Sequence, residues 1–183
     1  MRVIAGEFRR RTLRSLPGLG IRPTPDRLRE ALFNVLAPRI EGVIFADLYA
    51  GTGAVGIEAL SRGAAQAIFV EQKFAAAKTI RENLRALGIE DRAEVRHGRT
   101  TAMIPGIEAD IVFLDPPYAL EQEYTASLEL LGAKPPTLVI VQHPPRLKLA
   151  DHYGRLHRTR LLKQGDNALS FYQPANETIE ACN

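Results

Sequence analysis

The residues best suited to chemistry lie in two short stretches, of which the first is rich in glycine. It reads Asp47-Leu48-Tyr49-Ala50-Gly51-Thr52-Gly53-Ala54-Val55-Gly56 and lies between a predicted strand and a predicted helix. Glycines at such a turn let the backbone approach a ligand where any Cβ would collide. Glu71 follows Gly51 by 20 residues, at the end of the next predicted strand. A carboxylate there can accept both ribose hydroxyls of an adenosine, so this stretch predicts an adenosine-containing cofactor.

Asp47 distinguishes between two classes of cofactor. The spacing of Gly51, Gly53 and Gly56 also fits a dinucleotide fingerprint, in which a pyrophosphate binds at the helix N-terminus. A carboxylate four residues before the first glycine would repel that anion. It would instead favour the ammonium and sulfonium groups of S-adenosylmethionine. Asp47 therefore favours S-adenosylmethionine over NAD.

The second stretch is Asp115-Pro116-Pro117-Tyr118, directly after the apolar segment 111–114. Two consecutive prolines fix φ and remove two amide donors, which leaves the Asp115 carboxylate and the Pro116 carbonyl as a rigid row of acceptors. An exocyclic amino group donates two hydrogens, and accepting both exposes its lone pair to a methyl sulfonium. Tyr118 can stack on the base. We therefore predict that Asp115, Pro116, Pro117 and Tyr118 are catalytic residues for methylation of a base amino group.

Strands and helices are predicted to alternate around these motifs, which indicates an α/β fold. Continuous apolar strands in this alternation are typical of a parallel sheet covered on both faces, with ligands at the carboxyl ends of the strands. In the first predicted helix, Thr24 is expected to cap, Pro25 to take the first position and Pro38 to end the helix. The other predicted helices span 54–62, 74–87 and 120–131. The predicted strands span 43–48, 67–70, 93–96, 111–114 and 137–141, before an antiparallel hairpin of 152–162 and 168–172.

The composition is that of an ordinary globular protein. The chain has 183 residues, of which 45% are apolar and 25% charged, so one domain with its own core is expected. Cys182 is the only cysteine, which excludes a disulfide framework and favours a reducing compartment. The first residues lack the apolar core of a signal peptide, and no apolar run is long enough to span a membrane. We therefore expect a cytoplasmic protein without a membrane partner. The four histidines lack metal-ligand spacing, so no metal is expected.

Positive charge is concentrated towards the two ends of the chain. Residues 1–29 contain eight Lys or Arg residues and two acids, and residues 146–163 contain six against one acid. Such a distribution suggests a polyanion-binding face, although a merely solvated surface is the alternative. The predicted RNA-binding residues are Arg9, Arg10, Arg11, Arg14 and Arg22. We expect a basic arm or hairpin at 1–23, a catalytic domain at 24–175 and a tail at 176–183.

With both motifs in place, the chain closely resembles the bacterial small-subunit ribosomal RNA guanine-N2 methyltransferase family. The resemblance extends from Met1 to about Tyr172 and includes both stretches described above. The most specific parts are the arginine-rich N-terminus and the Glu-Ala-Leu-Ser-Arg-Gly helix end. The further matching segments are Arg2-Val3-Ile4-Ala5-Gly6, Arg22-Pro23-Thr24, Leu32-Phe33-Asn34 and Glu58-Ala59-Leu60-Ser61-Arg62-Gly63-Ala64.

This resemblance implies a class I methyltransferase fold, with a mostly parallel seven-stranded sheet, and S-adenosylmethionine as donor. The implied acceptor is a guanine 2-amino group of 16S rRNA in an assembled or assembling small subunit. Glu71 would hold the ribose, Ala50–Gly53 the methionine end and Asp115–Tyr118 the guanine, with the helix start at Thr24 closing over the cofactor. Arg99 stands where many relatives have an acid that meets adenine, so backbone groups or Thr100 would read adenine here. The predicted cofactor-binding residues are Thr24, Asp47, Ala50, Gly51, Thr52, Gly53, Glu71, Gln72, Thr100 and Asp115.

Other functions remain open at this point. A DNA adenine-N6 methyltransferase would share the Asp-Pro-Pro-Tyr motif, but it normally needs a target-recognition region that 183 residues hardly accommodate. A non-catalytic RNA-binding assembly factor is the other alternative, against which the intact motif argues. A nucleotide-dependent oxidoreductase is disfavoured by Asp47. We expect the protein to be a monomer.

Overall fold

The computed structural model describes residues 1–16 and 24–175, which form an α/β fold with five α-helices and eight strands. The helices are α1 Asp26–Leu36, α2 Ala54–Ser61, α3 Phe74–Leu87, α4 Thr100–Met103 and α5 Glu121–Ala133. The strands are β1 Ile44–Leu48, β2 Gln66–Glu71, β3 Ala93–His97, β4 Ile111–Leu114, β5 Leu138–His143, β6 His152–Tyr153, β7 Leu156–Gln164 and β8 Asn167–Pro174. Within the described ranges, no helix is both long and apolar enough to cross a membrane.

All eight strands form one sheet in the order β3-β2-β1-β4-β5-β8-β7-β6. The first five strands in this order are parallel, and β8, β7 and β6 are antiparallel to their neighbours. The predicted parallel sheet with a C-terminal antiparallel hairpin is therefore confirmed. This arrangement brings the carboxyl ends of β1, β2, β4 and β5 to one edge, where both motifs lie.

The predicted number of seven strands is wrong, because the segment 152–162 is not one strand. The chain turns at Gly154, whose φ is +55°, and the two-residue strand β6 folds back on the start of β7. Gly154 is close to α5, since a Cβ there would lie 2.8 Å from the carbonyl oxygen of Gly132. A strand of two residues is too short for an alternating pattern to show in the sequence.

Helices cover both faces of the sheet. Because successive strand residues point to opposite faces, Phe45, Phe113 and Ile140 pack towards α1. Their neighbours, including Leu48 and Leu114, pack towards α5 on the other face. Helices α2 and α3 contribute to a third apolar cluster around β2. The central strands β1, β2, β4 and β5 are thus buried, as their continuous apolar runs predict, while β3 and β7 remain partly exposed.

Apart from the segment 152–162, element boundaries agree closely with the sequence patterns, with two further exceptions. Helix α3 is as predicted, and Gly88 ends it in the left-handed conformation with φ +70°. Helix α1 begins at Asp26, with Pro25 at the N-cap position and no side-chain cap, so the predictions that Thr24 caps the helix and that Pro25 takes its first position are wrong. Helix α4 has only four residues, too few to show helical periodicity, and was not expected.

The N-terminal segment forms a small hairpin that is packed on the domain. Its two sides are joined by a bridge between Arg2 and Thr12. The buried carboxylate of Glu58 in α2 accepts the backbone N–H groups of Ile4 and Ala5 at 2.8 and 3.0 Å. The side chains of Val3 and Leu13 join the core. Residues 17–23 and 176–183, which include Cys182 and Arg22, lie outside the described residues, so the three-part division of the chain stays a prediction.

Candidate active site

A cavity of about 660 Å³ opens at the carboxyl edge of the parallel strands, and both motifs line it. This volume is within the range usual for sites that enclose small organic ligands. The four predicted catalytic residues Asp115–Tyr118 all line it. The predicted cofactor residues that line it are Thr24, Asp47, Ala50, Gly51, Thr52, Glu71, Gln72 and Asp115. Gly53 and Thr100 do not.

The backbone conformation of the glycine loop requires residues without a side chain. Gly51 and Gly53 both have positive φ, +57° and +80°, which other residues adopt only with strain. Gly53 precedes α2 and shapes the turn without lining the cavity. At Gly56 a Cβ would lie 2.3 Å from the ring of Phe69, so glycine lets α2 pack closely on β2. The three glycines therefore support a loop that exposes backbone groups to the cavity.

The carboxylate of Glu71 is fixed by the backbone around it. Its Oε2 accepts the Gly51 N–H at 2.8 Å, and its Oε1 accepts the Lys73 N–H at 2.7 Å. The side chain is 8% exposed and lines the cavity. Because each carboxylate oxygen can accept more than one hydrogen bond, both oxygens retain capacity for ribose hydroxyls. Glu71 thus joins the end of β2 to the glycine loop.

Asp47 is a buried carboxyl group beside two other acids. It is 2% exposed, and its Oδ2 accepts the Gly56 N–H at 2.8 Å. Burial raises the pKa of Asp47 well above its usual range, and the charges of Asp115 and Glu71 raise it further against the effect of that hydrogen bond. A cationic ligand in this cavity would relieve the repulsion among the three acids. The acids and the open glycine loop fit S-adenosylmethionine, which carries an ammonium and a sulfonium.

The Asp115–Tyr118 segment is held from two sides. The hydroxyl of Tyr124 in α5 donates to the Pro116 carbonyl at 2.9 Å. The hydroxyl of Tyr118 donates to Oδ1 of Asn167 at 2.6 Å, which ties it to the start of β8. A carbonyl oxygen has two lone pairs, so Pro116 can still accept one hydrogen of an amino group. Burial raises the pKa of Tyr124, and the charge of Asp115 raises it further, so Tyr124 remains a donor.

The family model described as "Conserved hypothetical protein 95" matches residues 1–173. The chain belongs to this family. It is 34% identical to "Putative rRNA methyltransferase YlbH" of Bacillus subtilis over 182 residues, covering 94% of this chain and 98% of that protein. It is 40% identical to "Ribosomal RNA small subunit methyltransferase D" of Escherichia coli over 119 residues, covering 64% of this chain and 60% of that protein.

Solved structures confirm the class I methyltransferase fold for this family member. "Putative methyltransferase yhhF" from Escherichia coli superposes with a TM-score of 0.82 at 33% identity, covering 95% of this chain and 97% of that one. An RNA methyltransferase from Salinibacter ruber, solved with S-adenosyl-L-homocysteine, shares the fold with a TM-score of 0.67 at 20% identity. It covers 88% of this chain and 99% of that one. The predicted membership of a bacterial 16S rRNA methyltransferase family is confirmed.

The region of Arg99, where backbone groups or Thr100 are expected to read adenine, makes contact with helix α5. Arg99 extends to Glu123 of α5, with an N–O distance of 3.3 Å, and Thr100 is buried at the start of α4. Glu123 lines the cavity and accepts the hydroxyl of Tyr49 at 2.7 Å. Tyr49 has a φ of +66°, an uncommon conformation for a bulky residue, which directs the chain into the glycine loop. An acid therefore reaches this wall of the cavity from α5 rather than from the end of β3.

Four of the five predicted RNA-binding arginines lie in the described N-terminal segment but differ in their contacts. Arg9 and Arg10 are exposed, while Arg11 donates to the Ala86 carbonyl at 3.1 Å and Arg14 pairs with Glu82 at 2.9 Å. Arg22 lies outside the described residues. Not every charge of the basic N-terminal region reaches solvent, because the Arg29 side chain is fully buried. It donates to the Arg2 carbonyl at 2.6 Å and lies 3.8 Å from the Glu58 carboxylate.

Sequence reasoning missed several residues that line the cavity. Gln142 at the end of β5 is detectable in principle, because every strand of a parallel sheet ends at the ligand-binding edge. Glu123 in α5 and Leu120 directly before α5 show no sequence signal of their own. In the described part of the chain, no group of three His, Cys, Asp or Glu side chains is placed to hold a metal ion. The missed lining residues are Met1, Tyr49, Ala54, Val55, Lys73, Phe113, Ala119, Leu120, Glu123 and Gln142.

Proposed function

We propose that this protein transfers a methyl group from S-adenosylmethionine to the exocyclic 2-amino group of a guanine in 16S rRNA. One observation carries the proposal: the Asp115–Pro116 acceptors line the same cavity as the glycine loop and Glu71. A donor held by the loop would therefore meet an amino group held by the acceptors. The names of the YlbH and methyltransferase D relatives support an rRNA substrate. The S-adenosyl-L-homocysteine of the Salinibacter protein supports the donor.

The residues of this chain would act mainly by orienting the guanine towards the methyl donor. The Asp115 carboxylate and the Pro116 carbonyl each accept one amino hydrogen, which turns the nitrogen lone pair out of the base plane. Tyr118, tethered to Asn167, supports the base. S-adenosylmethionine supplies an electrophilic methyl carbon on its sulfonium. As nitrogen bonds to this carbon the carbon–sulfur bond breaks, and the surplus proton leaves to Asp115 or water. Position and local electrostatics then account for the rate without a strong base.

The remaining parts of the proposal concern the setting of the reaction. We propose that the substrate is an assembled or assembling small subunit, since one extruded base offers little surface for recognition. The exposed side chains of Arg9 and Arg10 on the hairpin would supply phosphate contacts. The protein would act as a monomer in the cytoplasm, without a metal ion.

The test is methyl transfer from labelled S-adenosylmethionine to three acceptors. These are small subunits that lack the modification, naked 16S rRNA, and duplex DNA of mixed sequence. We expect label in subunits, less in naked rRNA and none in DNA. Label in DNA adenine would establish the alternative activity. The absence of label in every acceptor, from a folded protein that binds S-adenosylmethionine, would support a non-catalytic assembly factor.

A further inference from the structure

We propose that the side-chain amide of Gln142 reads the N1–H and O6 groups of the target guanine. The inference rests on the proposed function, because it needs a guanine whose 2-amino group is held by Asp115 and Pro116. It makes Gln142 the residue that selects guanine among bases with an amino group. The cofactor site does not depend on it.

The sheet places Gln142 next to Asp115. Strands β4 and β5 are parallel neighbours, with Leu114 paired to Val141. Asp115 and Gln142 are the next residues on each strand, and adjacent strands lie about 4.8 Å apart. Both residues line the cavity. A base held by Asp115 through its 2-amino group therefore has its adjoining ring edge within reach of Gln142.

The hydrogen bonding of Gln142 is incomplete in a way that folding does not explain. Its side chain is 4% exposed, and its Oε1 has no hydrogen-bond partner among residues 1–16 and 24–175. Buried amide oxygens are normally paired, because an unpaired one is unfavourable in an apolar surrounding. The next residue, His143, is fully paired, with ring nitrogens 2.9 Å from Oγ of Ser170 and 3.0 Å from the Pro144 carbonyl. Gln142 is thus the residue at this strand end with capacity for a ligand.

The chemistry of an amide matches this edge of guanine. Guanine has a donor at N1 beside an acceptor at O6, and its 2-amino group is attached next to N1. The Gln142 Oε1 can accept the N1–H while Nε2 donates to O6. The analogue 2-aminopurine keeps the 2-amino group, but N1 is an acceptor and O6 is missing. A rotated amide could make one hydrogen bond to it, and Oε1 would again be buried without a partner.

The test compares guanine with 2-aminopurine at the methylated nucleotide of otherwise identical rRNA, assembled into small subunits. The variant Gln142→Leu keeps a similar volume and removes the amide. The variant Gln66→Leu makes the same change at the opposite edge of the sheet, at the exposed first residue of the otherwise buried strand β2, and serves as the control. We expect Gln142→Leu to lower kcat/KM for guanine about tenfold and to reduce the preference for guanine over 2-aminopurine by a similar factor. The Kd for S-adenosylmethionine should change less than about twofold.

Thermal stability separates a role in recognition from a role in folding. Since Gln142→Leu removes a buried, unpaired oxygen, we expect its Tm to equal or exceed that of the wild type. An equal loss of kcat/KM for guanine and for 2-aminopurine would overturn the inference, as would an unchanged kcat/KM for guanine. Either result would leave the proposed function intact. If the wild-type protein forms no N2-methylguanosine at all, the proposed function itself fails, and the inference fails with it.

Discussion

The backbone N–H of Gly51 donates to the Glu71 carboxylate at 2.8 Å, across 20 residues of sequence. This bond joins the loop after β1 to the end of β2, so one side chain both shapes the cofactor loop and faces the cavity. The second carboxylate oxygen accepts the Lys73 N–H. Glu71 is therefore oriented before any ligand binds.

Replacement of Glu71 by alanine should weaken S-adenosylmethionine binding. The variant loses two charge-assisted hydrogen bonds to ribose, each contributing roughly 1.5–3 kcal/mol at most, and it also releases Gly51. Isothermal titration calorimetry should show a Kd raised at least about tenfold. A folded variant with the wild-type Kd would remove Glu71 from the cofactor site.

The substitution Asp47→Asn should stabilise the protein without ligand and weaken cofactor binding. Since the pKa of Asp47 is raised in the folded state, the folded protein loses stability relative to the unfolded chain as pH rises above about 4. Asparagine keeps an acceptor for the Gly56 N–H and removes the charge. We expect a higher Tm than the wild type at pH 7, with the difference shrinking towards pH 4.

The same variant should bind S-adenosylmethionine less tightly, because a negative charge that favours the cation is gone. Calorimetry at pH 7 measures the change, and differential scanning fluorimetry across pH measures the stability. A Tm for Asp47→Asn below that of the wild type at pH 7 would show that the buried charge is compensated in the folded protein.

Much of the fold and of the cofactor site follows from local sequence patterns. The apolar runs around Asp47, Glu71 and Asp115 correctly placed these residues at strand ends, because a parallel sheet brings such ends to one edge. Gln142 directly follows the predicted strand 137–141, which indicates the ligand-binding edge but not the side of Asp115, and nothing in the residues around Glu123 marks it. Their position depends on which strand lies beside β4 and on the orientation of α5, and both are tertiary properties.

The arginines of the N-terminal region show the same limit of prediction from sequence. Sequence counts treat Arg29 like Arg9, but α1 directs Arg29 into the core beside Glu58. Burial and ion pairing decide which arginines can bind a phosphate, and neither can be read from the amino-acid composition. The two-residue strand β6 and the short helix α4 were missed because elements of two or four residues have no measurable period.

Replacement of Arg9, Arg10 and Arg11 by alanine should weaken binding to small subunits and flatten its dependence on salt. For single-stranded RNA, each lost phosphate contact changes the log–log slope by about 0.7. Exposed Arg39, at the other end of α1, provides a single-charge control. Filter binding across a salt series measures both quantities, with S-adenosylmethionine affinity expected to stay constant. If the triple variant keeps the wild-type slope, RNA docking must be assigned to residues 146–163.

The Glu58 carboxylate should be essential for folding of the hairpin against the domain. Replacement by alanine leaves the Arg29 guanidinium buried without this carboxylate and removes the acceptor for Ile4 and Ala5. Breaking a buried ion pair from one side costs about 3–5 kcal/mol. Urea denaturation should show this loss in the free energy of unfolding. A loss below about 1 kcal/mol would mean that the apolar contacts of Val3 and Leu13 hold the hairpin by themselves.

The most direct test of the central claim is the identity of the nucleoside that the protein produces. Small subunits lacking the modification are incubated with S-adenosylmethionine and either the wild type or the Asp115→Ala variant. Their 16S rRNA is then digested and analysed by liquid chromatography and mass spectrometry. We predict N2-methylguanosine from the wild type and almost none from Asp115→Ala, both measured at S-adenosylmethionine concentrations that saturate each protein. A different methylated nucleoside, or equal product from Asp115→Ala, would contradict the account.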